Sequence, residues 1–288
     1  MAGGAIRRTR FAPSPTGLLH LGHAFAAGVA AAQADAGEFL LRIEDIDRAR
    51  CKPEFEAAIY QDLDWLGLQW QQPVMRQSDR MDAYRDALAR LAEFSYPCRC
   101  KRGDIRAALS APQEGALPAG PDGLIYPGTC RHRPLSDAAP DDVIRLDVAR
   151  AFDALGQSRL EFRDEVMRPA EAFLMTRDKF LDQIGDIILS RRGMGTSYHL
   201  SVVVDDAAQG ITLVTRGEDL FESTWIHVLL QQLLGYPTPL YHHHRLIRDA
   251  EGARLAKRDN ARAIRTIRKA GAQPADIWRM VGLRPWDP

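Results

Sequence analysis

Arg10-Phe11-Ala12-Pro13-Ser14-Pro15-Thr16-Gly17-Leu18-Leu19-His20-Leu21-Gly22-His23 is the stretch on which the reading of this chain turns. An apolar and basic run stops at two prolines and resumes as an alanine-rich helix, the pattern of a strand, a phosphate-facing turn and a helix. Pro13 and Pro15 hold the turn extended, and Gly17 and Gly22 let backbone approach a ligand closely. The helix N-terminus near Leu21 offers backbone N–H groups and the positive end of a dipole. A nucleoside triphosphate suits such a place. Taken alone, His20 and His23 also fit a satisfied pair at a helix start.

Outward from this stretch, residues 25–36 continue the helix, with Gly37 where a C-terminal glycine belongs. Phe39-Leu40-Leu41-Arg42-Ile43 predicts a strand, and Glu44, Asp45 and Asp47 crowd at its carboxyl end, where ligands collect in an open α/β sheet. Spacing alone favours ion pairs with neighbouring arginines over a metal site for these acids. Pro53 opens a helix carrying Phe55, Ile59 and Leu63 and ended by Gly67, and Met81, Tyr84, Leu88 and Leu91 mark the next. Both stripes predict core. Further on, residues 143–146 and 184–190 predict strands, Gly193-Met194-Gly195 a turn, and residues 211–215 a strand delivering Arg216. Residues 198–206 form an apolar element with an acidic end, and residues 224–234 predict a helix.

The 288 residues suffice for one large α/β domain with an insertion, or for two modest domains. Hydrophobic content of 45% and charged content of 26% are ordinary for a soluble enzyme. The 38 basic residues are offset by 38 acidic ones, so no global bias announces nucleic acid. Residues 1–5 lack a signal-peptide layout and no run reaches membrane-span length, so a cytoplasmic protein with no membrane partner is expected.

In that setting Cys51, Cys98, Cys100 and Cys130 are expected as thiols or metal ligands, not disulfides. Residues 107–127 are rich in Ala, Pro and Gly, and a loop-rich insertion of this kind needs a staple. Zinc held by Cys98, Cys100, Cys130 and one further donor would supply it. Tyr126 and His132 compete for the fourth position, and general chemistry favours the imidazole. His242-His243-His244 has the look of a metal cluster, but successive strand side chains point to opposite faces, so these three are expected to be structural.

The longer match around His20 and His23 resembles the HIGH signature of class I aminoacyl-tRNA synthetases, in the Arg-Phe-Ala-Pro-Ser-Pro-Thr-Gly form of the glutamyl branch. Arg42-Ile43-Glu44-Asp45-Ile46-Asp47 is similar to a segment of that branch whose glutamate meets the substrate amino group. Tyr198-x-Leu200 with Val203-Val204-Asp205-Asp206, and Arg216-Gly217-Glu218-Asp219-Leu220, resemble its amino-acid pocket. Arg254-Leu255-Ala256-Lys257-Arg258 resembles the KMSKS loop, with Arg254 for the first lysine and Ala256 for the serine, and Lys257 is then the lysine that neutralises departing pyrophosphate. Cys-x-Cys followed by Tyr-x-x-x-Cys matches the zinc ligands of one glutamyl-synthetase branch, which selects Tyr126 over His132.

The resemblance implies an α/β fold: a Rossmann-like class I synthetase catalytic domain (1–97 and 184–240), a zinc-stapled insertion (98–183), and a KMSKS-like loop with a short basic helical C-terminal region (241–288). It implies glutamate binding by Arg10, Phe11, Ala12, Pro13, Ser14, Glu44, Tyr198 and Arg216. ATP, with Mg2+, would be bound by His20, Gly22, His23 and Lys257, and the catalytic set is His20, His23 and Lys257. From Tyr241 onward eleven basic residues face five acidic ones, a local surface for RNA.

An ordinary glutamyl-tRNA synthetase continues well past the KMSKS loop, whereas this sequence stops about thirty residues beyond it. The short form resembles the glutamyl-Q tRNA(Asp) synthetase branch. That implies a monomeric ligase that activates L-glutamate as the adenylate and transfers it to the queuosine base in the anticodon of tRNA(Asp). The alternatives are a truncated synthetase charging the 3′ end of tRNA(Glu), and a non-catalytic RNA-binding relative.

Overall fold

A computed structural model describes residues 6–109, 117–248 and 263–284. The opening stretch folds as strand β1 (Arg8–Phe11), a turn through the prolines, and helix α1 (Leu21–Ala34). The helix ends at Asp35, two residues earlier than its alanine pattern suggests. Gly37 is therefore not its cap. A Cβ there would sit 1.8 Å from the Arg7 carbonyl oxygen, so glycine is demanded by the close passage of the chain leading into β1. β2 (Glu38–Ile43) runs parallel to β1, and after α2 (Pro53–Trp65) β3 (Gln71–Arg76) runs parallel to β2.

Helix α3 (Met81–Arg90) leads to β4 (Ser95–Cys98), α4 (Arg102–Leu109) and a small hairpin, β5 (Ala119–Gly120) and β6 (Gly123–Leu124). Then come β7 (Val143–Leu146), α5 (Val148–Leu155), a long hairpin of β8 (Arg159–Asp164) and β9 (Arg168–Thr176), α6 (Arg177–Gln183) and β10 (Ile188–Ser190). β7 lies between β4 and β10, antiparallel to both. The strand expected over residues 184–190 is confined to its last three. The N–H groups of Ile184 and Gly185 both return to the Phe180 carbonyl, and Gly185 takes φ +68°, so helix termination consumes the first half of that apolar run.

The last third holds α7 (Tyr198–Ala208), β11 (Leu213–Gly217), α8 (Ser223–Leu233), β12 (Leu240–His244), α9 (Ile264–Lys269) and α10 (Pro274–Val281). Every residue of α7 from His199 to Asp206 is buried, its apolar residues in the core and its aspartates paired with arginines and other donors. β11 pairs in parallel with β12, and a 3.0 Å bond from the Thr212 N–H to the Arg8 carbonyl brings it alongside β1. β1, β2 and β3 form one parallel sheet and β11 pairs in parallel with β12 in another, with β11 beside β1, a Rossmann-like arrangement with its ligand crevice at the carboxyl ends of these strands. β12 also pairs with β8, so the long hairpin from the middle of the chain continues this sheet.

Two apolar cores result. One packs α1, β2 and α2 with Ile264, Ile277 and Trp278, and the other packs α5, α7 and α8 with the β8 and β12 strands. Gly28 admits the last helix, because a Cβ there would lie 2.7 Å from the Trp278 ring. No helix among the described residues is long and apolar enough to cross a membrane.

Candidate active site

The carboxyl ends of β1, β2, β11 and β12 surround a cavity of about 520 Å³. Arg10, Phe11 and Ala12 reach it from β1 and the following turn, His20, Gly22 and His23 from the start of α1, Glu44 from the end of β2, Tyr198 from α7 and Arg216 from β11. Pro13 and Ser14 do not line it. The Pro13 carbonyl accepts the Glu44 N–H at 3.0 Å, so this proline ties the turn to the end of β2.

The two histidines order the helix start. The backbone N–H of His20 donates to His23 Nδ1 at 3.1 Å, and that of Gly22 donates to His20 Nδ1 at 3.1 Å. With both Nδ1 atoms accepting, each neutral ring carries its proton on Nε2. The rings stand 3.8 Å apart at the cavity wall.

Behind Arg10 and Glu44 lies a buried ionic network. Asp206 accepts from Arg10 Nε at 2.9 Å, from Arg10 Nη2 at 3.2 Å and from Arg42 Nη1 at 2.7 Å. Arg42 also donates to Glu44 at 3.2 Å and to Gln209 at 2.8 Å. Asp205 is held by Gln77 at 3.0 Å, Arg80 at 2.6 Å and Tyr84 at 2.7 Å. Burial opposes the charges of Arg42, Asp206 and Glu44. Arg42 is raised above the usual guanidinium value by Asp206, Glu44 and Asp205 despite complete burial, and Asp206 is held low by Arg10 and Arg42. For Glu44 burial wins over the pull of Arg42 and Arg10, and its pKa is raised. Burial likewise raises that of Tyr198.

Of the charged side chains that line the cavity, Arg10, Arg216 and Arg245 against Glu44 and Asp219 leave one positive charge in excess. A glutamate, with two carboxylates and one ammonium, carries one negative charge and would balance it.

Arg216 is 7% exposed and sits in a second network. It donates from Nε to His243 at 3.2 Å, from Nη1 to His227 at 2.9 Å and from Nη2 to Thr224 at 2.5 Å. His243 Nδ1 lies 2.6 Å from Asp164. Asp164 is pulled down to about 2 against its burial by His243 and by the N–H groups of Met167, Val166 and His243. His244 packs edge-on against Phe25. The histidine triplet thus faces different partners, as strand alternation requires.

The cysteines meet elsewhere, in a small cluster of Tyr96, Cys98 and Tyr126 packed with Cys100 and Cys130. The sulfurs of Cys98, Cys100 and Cys130 lie within 4.8 Å of one another. The Cys100 and Cys130 sulfurs are 3.6 Å apart, and the Tyr126 hydroxyl is 3.3 Å from the Cys98 sulfur and 3.6 Å from that of Cys100. A tetrahedral zinc with sulfur ligands at ~2.3 Å spaces those ligands by ~3.8 Å, so the donor set fits that ion. Against burial, hydrogen bonds from Tyr126, the Arg99 backbone and the other thiols bring Cys130 down to about 7, which makes it an easily ionised ligand. His132 is exposed and lines a separate groove. Of the two candidate fourth donors, Tyr126 stands among the thiols, where Arg145, 3.9 Å over the phenol ring, and the Cys130 N–H, 2.8 Å from its oxygen, fix the side chain.

Lys257, Arg254 and Ala256 lie outside the described residues. On either side of residues 249–262, Ile247 lines the cavity and Ala263 forms an antiparallel bridge with His20. The sequence reading left Arg42, Asp206, His199, His227 and Asp122 without roles. A charged residue inside an apolar strand and an acidic pair closing an apolar helix were the available signals for the first two, since such groups are buried only when paired.

Residues 7–288 match the family model of the tRNA synthetases class I (E and Q), catalytic domain. The chain is 57% identical to a glutamyl-Q tRNA(Asp) synthetase of Rhodobacter capsulatus, covering 96% of this chain and 99% of that protein. It is 40% identical to one of Symbiobacterium thermophilum, covering 93% and 83%. Among solved structures, a glutamate-tRNA synthetase from Elizabethkingia anophelis superposes with a TM-score of 0.74 at 25% identity, covering 99% of this chain and 62% of that one. With its parallel sheet, its histidine-lined helix start and these relatives, the chain belongs to the class I tRNA synthetases of the glutamate and glutamine branch, within the glutamyl-Q tRNA(Asp) synthetase family.

Proposed function

We propose that this enzyme activates L-glutamate with ATP to glutamyl-adenylate and transfers the glutamyl group to the queuosine base in the anticodon of tRNA(Asp). The observation that carries the reading is one cavity lined by His20 and His23 together with Arg10, Glu44, Tyr198 and Arg216. Glu44 receives the ammonium, and Arg10, Tyr198 and Arg216 receive the two carboxylates, with Phe11 and Ala12 forming the wall. Pro13 and Ser14 act by shaping the turn. An α-carboxylate oxygen attacks the α-phosphorus in line, the bond to the bridging oxygen breaks, and pyrophosphate leaves with ATP's Mg2+.

Nε2–H donors of His20 and His23 stabilise charge on the phosphates, beside the backbone of Gly22 at the helix start. Lys257 neutralises pyrophosphate, a role supported by Ile247, which lines the cavity, and by Ala263, which bridges to His20, on either side of residues 249–262. In the second step a nucleophile on the queuosine base attacks the adenylate carbonyl and AMP leaves. No side chain forms a covalent intermediate.

A structural zinc held by Cys98, Cys100, Tyr126 and Cys130 would supply folding free energy to the insertion at 98–183 and take no part in the chemistry. The division into a catalytic part (1–97 and 184–240), that insertion, and a C-terminal part (241–288) is supported by the separate cysteine cluster, with β8 and β9 tying the insertion back to the main sheet. The enzyme works as a monomer in the cytoplasm, where its RNA substrate resides.

The test is direct. Glutamate-dependent exchange of label between pyrophosphate and ATP is expected without tRNA. Labelled glutamate should then transfer to queuosine-containing tRNA(Asp), survive removal of the 3′ terminal nucleotide, and fail on the same tRNA lacking queuosine. Charging of tRNA(Glu) at its 3′ end would overturn the acceptor while keeping the adenylate chemistry.

A further inference from the structure

Arg216 holds three of its five N–H bonds on protein partners, which leaves two for a substrate carboxylate. The acceptor on Nη1 is His227 Nδ1, at 2.9 Å. An imidazole that accepts at Nδ1 carries its proton on Nε2, and that atom lies 3.0 Å from His199 Nδ1. His199 then accepts at Nδ1 and donates from Nε2, which stands 3.0 Å from both carboxylate oxygens of Asp122. Every donor in this file meets an acceptor, and only one arrangement of protons satisfies it with both rings neutral. Burial and the adjacent Arg216 charge hold His227 far below the usual imidazole range, which keeps it an acceptor.

The file crosses the molecule. Asp122 lies in the turn between β5 and β6, in the loop-rich middle of the chain, whereas His199 is on α7, His227 on α8 and Arg216 on β11. His199 and His227 are each 3% exposed, so neither can exchange its partner for water. The Asp122 side chain is 38% exposed, and it is the end of the file that solvent reaches.

We propose that Asp122, His199 and His227 are positioning residues for glutamate: their hydrogen-bond file sets the orientation in which the Arg216 guanidinium receives the substrate carboxylate, so that the small β5–β6 hairpin, about a hundred residues away in sequence, tunes amino-acid affinity. The proposal rests on the reading of Arg216 as a glutamate ligand. A hydrogen bond to a charged group is worth enough to be read in binding, and loss of the outermost link should cost about tenfold.

The experiment measures KM for glutamate, KM for ATP and kcat in the exchange reaction of the full chain. Asp122→Ala, at an exposed turn, is expected to raise the glutamate KM about tenfold, with the ATP KM and kcat within about twofold of the parent and the melting temperature unchanged. His227→Leu should raise it further. His227→Asn, whose amide oxygen can occupy the Nδ1 position and accept from Arg216 but whose shorter side chain cannot reach His199, should raise it about as much as Asp122→Ala does and less than His227→Leu does. Wild-type glutamate KM in Asp122→Ala, or equal loss of glutamate and ATP affinity, overturns the proposal. Arg216→Ala separates the two readings. If it leaves the glutamate KM unchanged, the pocket assignment itself fails; if it raises that KM while Asp122→Ala and His227→Leu do not, only the positioning file fails.

Discussion

Arg10 and Asp206, 196 residues apart, meet in a two-pronged pair at 2.9 and 3.2 Å inside the protein, each less than one-tenth exposed. The pair joins the first strand to the end of α7, and Arg42 shares the same carboxylate. The pocket wall is therefore an ionic network before any substrate arrives. Asp206→Ala removes the common acceptor, leaving the buried Arg10 guanidinium without its carboxylate and Arg42 with Glu44 and Gln209 as its remaining hydrogen-bond partners. The expected loss of stability is about 3–5 kcal/mol, measured by urea unfolding. A variant within about 1 kcal/mol of the parent would show that water replaces the carboxylate.

Glu44 has a raised pKa because burial outweighs its arginine neighbours, so it takes up a proton at a higher pH than a solvent-exposed glutamate does. Only the ionised form pairs with the substrate ammonium. The glutamate KM should therefore rise as pH falls through the raised pKa, while the ATP KM stays flatter. In Glu44→Gln the affinity should be poor at every pH and the acid limb should vanish. An unchanged limb in that variant would assign the titration to another group.

The thiol cluster predicts about one zinc per chain in elemental analysis, released by a strong chelator with loss of structure around β4 and β7. Tyr126→Phe removes only the hydroxyl oxygen, so zinc should be retained more weakly and lost to chelator sooner. A fully folded metal-free protein would refute the site, and wild-type retention in Tyr126→Phe would exclude the phenol as a ligand.

Lys257→Ala should slow exchange on the order of a hundredfold, because its partner charge develops on pyrophosphate as the transition state forms. The glutamate KM should stay near that of the parent. Damage confined to glutamate affinity would place this lysine at the amino acid. Replacing Ala256 by serine tests the departure from the KMSKS pattern, with faster activation as the expected outcome.

Much of the site was readable in order along the chain. The proline-bracketed turn, the two histidines and the acidic strand end are local patterns, and each owes its position to elements built by neighbours in sequence. Helices α2 and α3 begin where Pro53 and Met81 mark them. The run over residues 184–190 was misread because an apolar stretch of that length suits a helix end as well as a strand, and the Phe180 carbonyl that captures it lies outside the run. Gly37 was misread because a glycine after a helix has two uses, and the close approach to Arg7 is visible only in three dimensions.

Sequence alone determined the class of chemistry here: spaced histidines, a carboxylate at a strand end and arginines are covalent facts, and their order along an alternating α/β pattern sends them to one edge of a parallel sheet, while the cysteines gather in a cluster of their own. Tertiary structure decided how those groups are charged and oriented. Whether Arg10 faces substrate or Asp206, why Glu44 holds a proton more tightly, and how Asp122 reaches Arg216 through two histidines all depend on contacts between distant segments. The physical reason is that electrostatic energy and hydrogen bonding are set by distance and burial, and neither quantity is a property of neighbours in the chain.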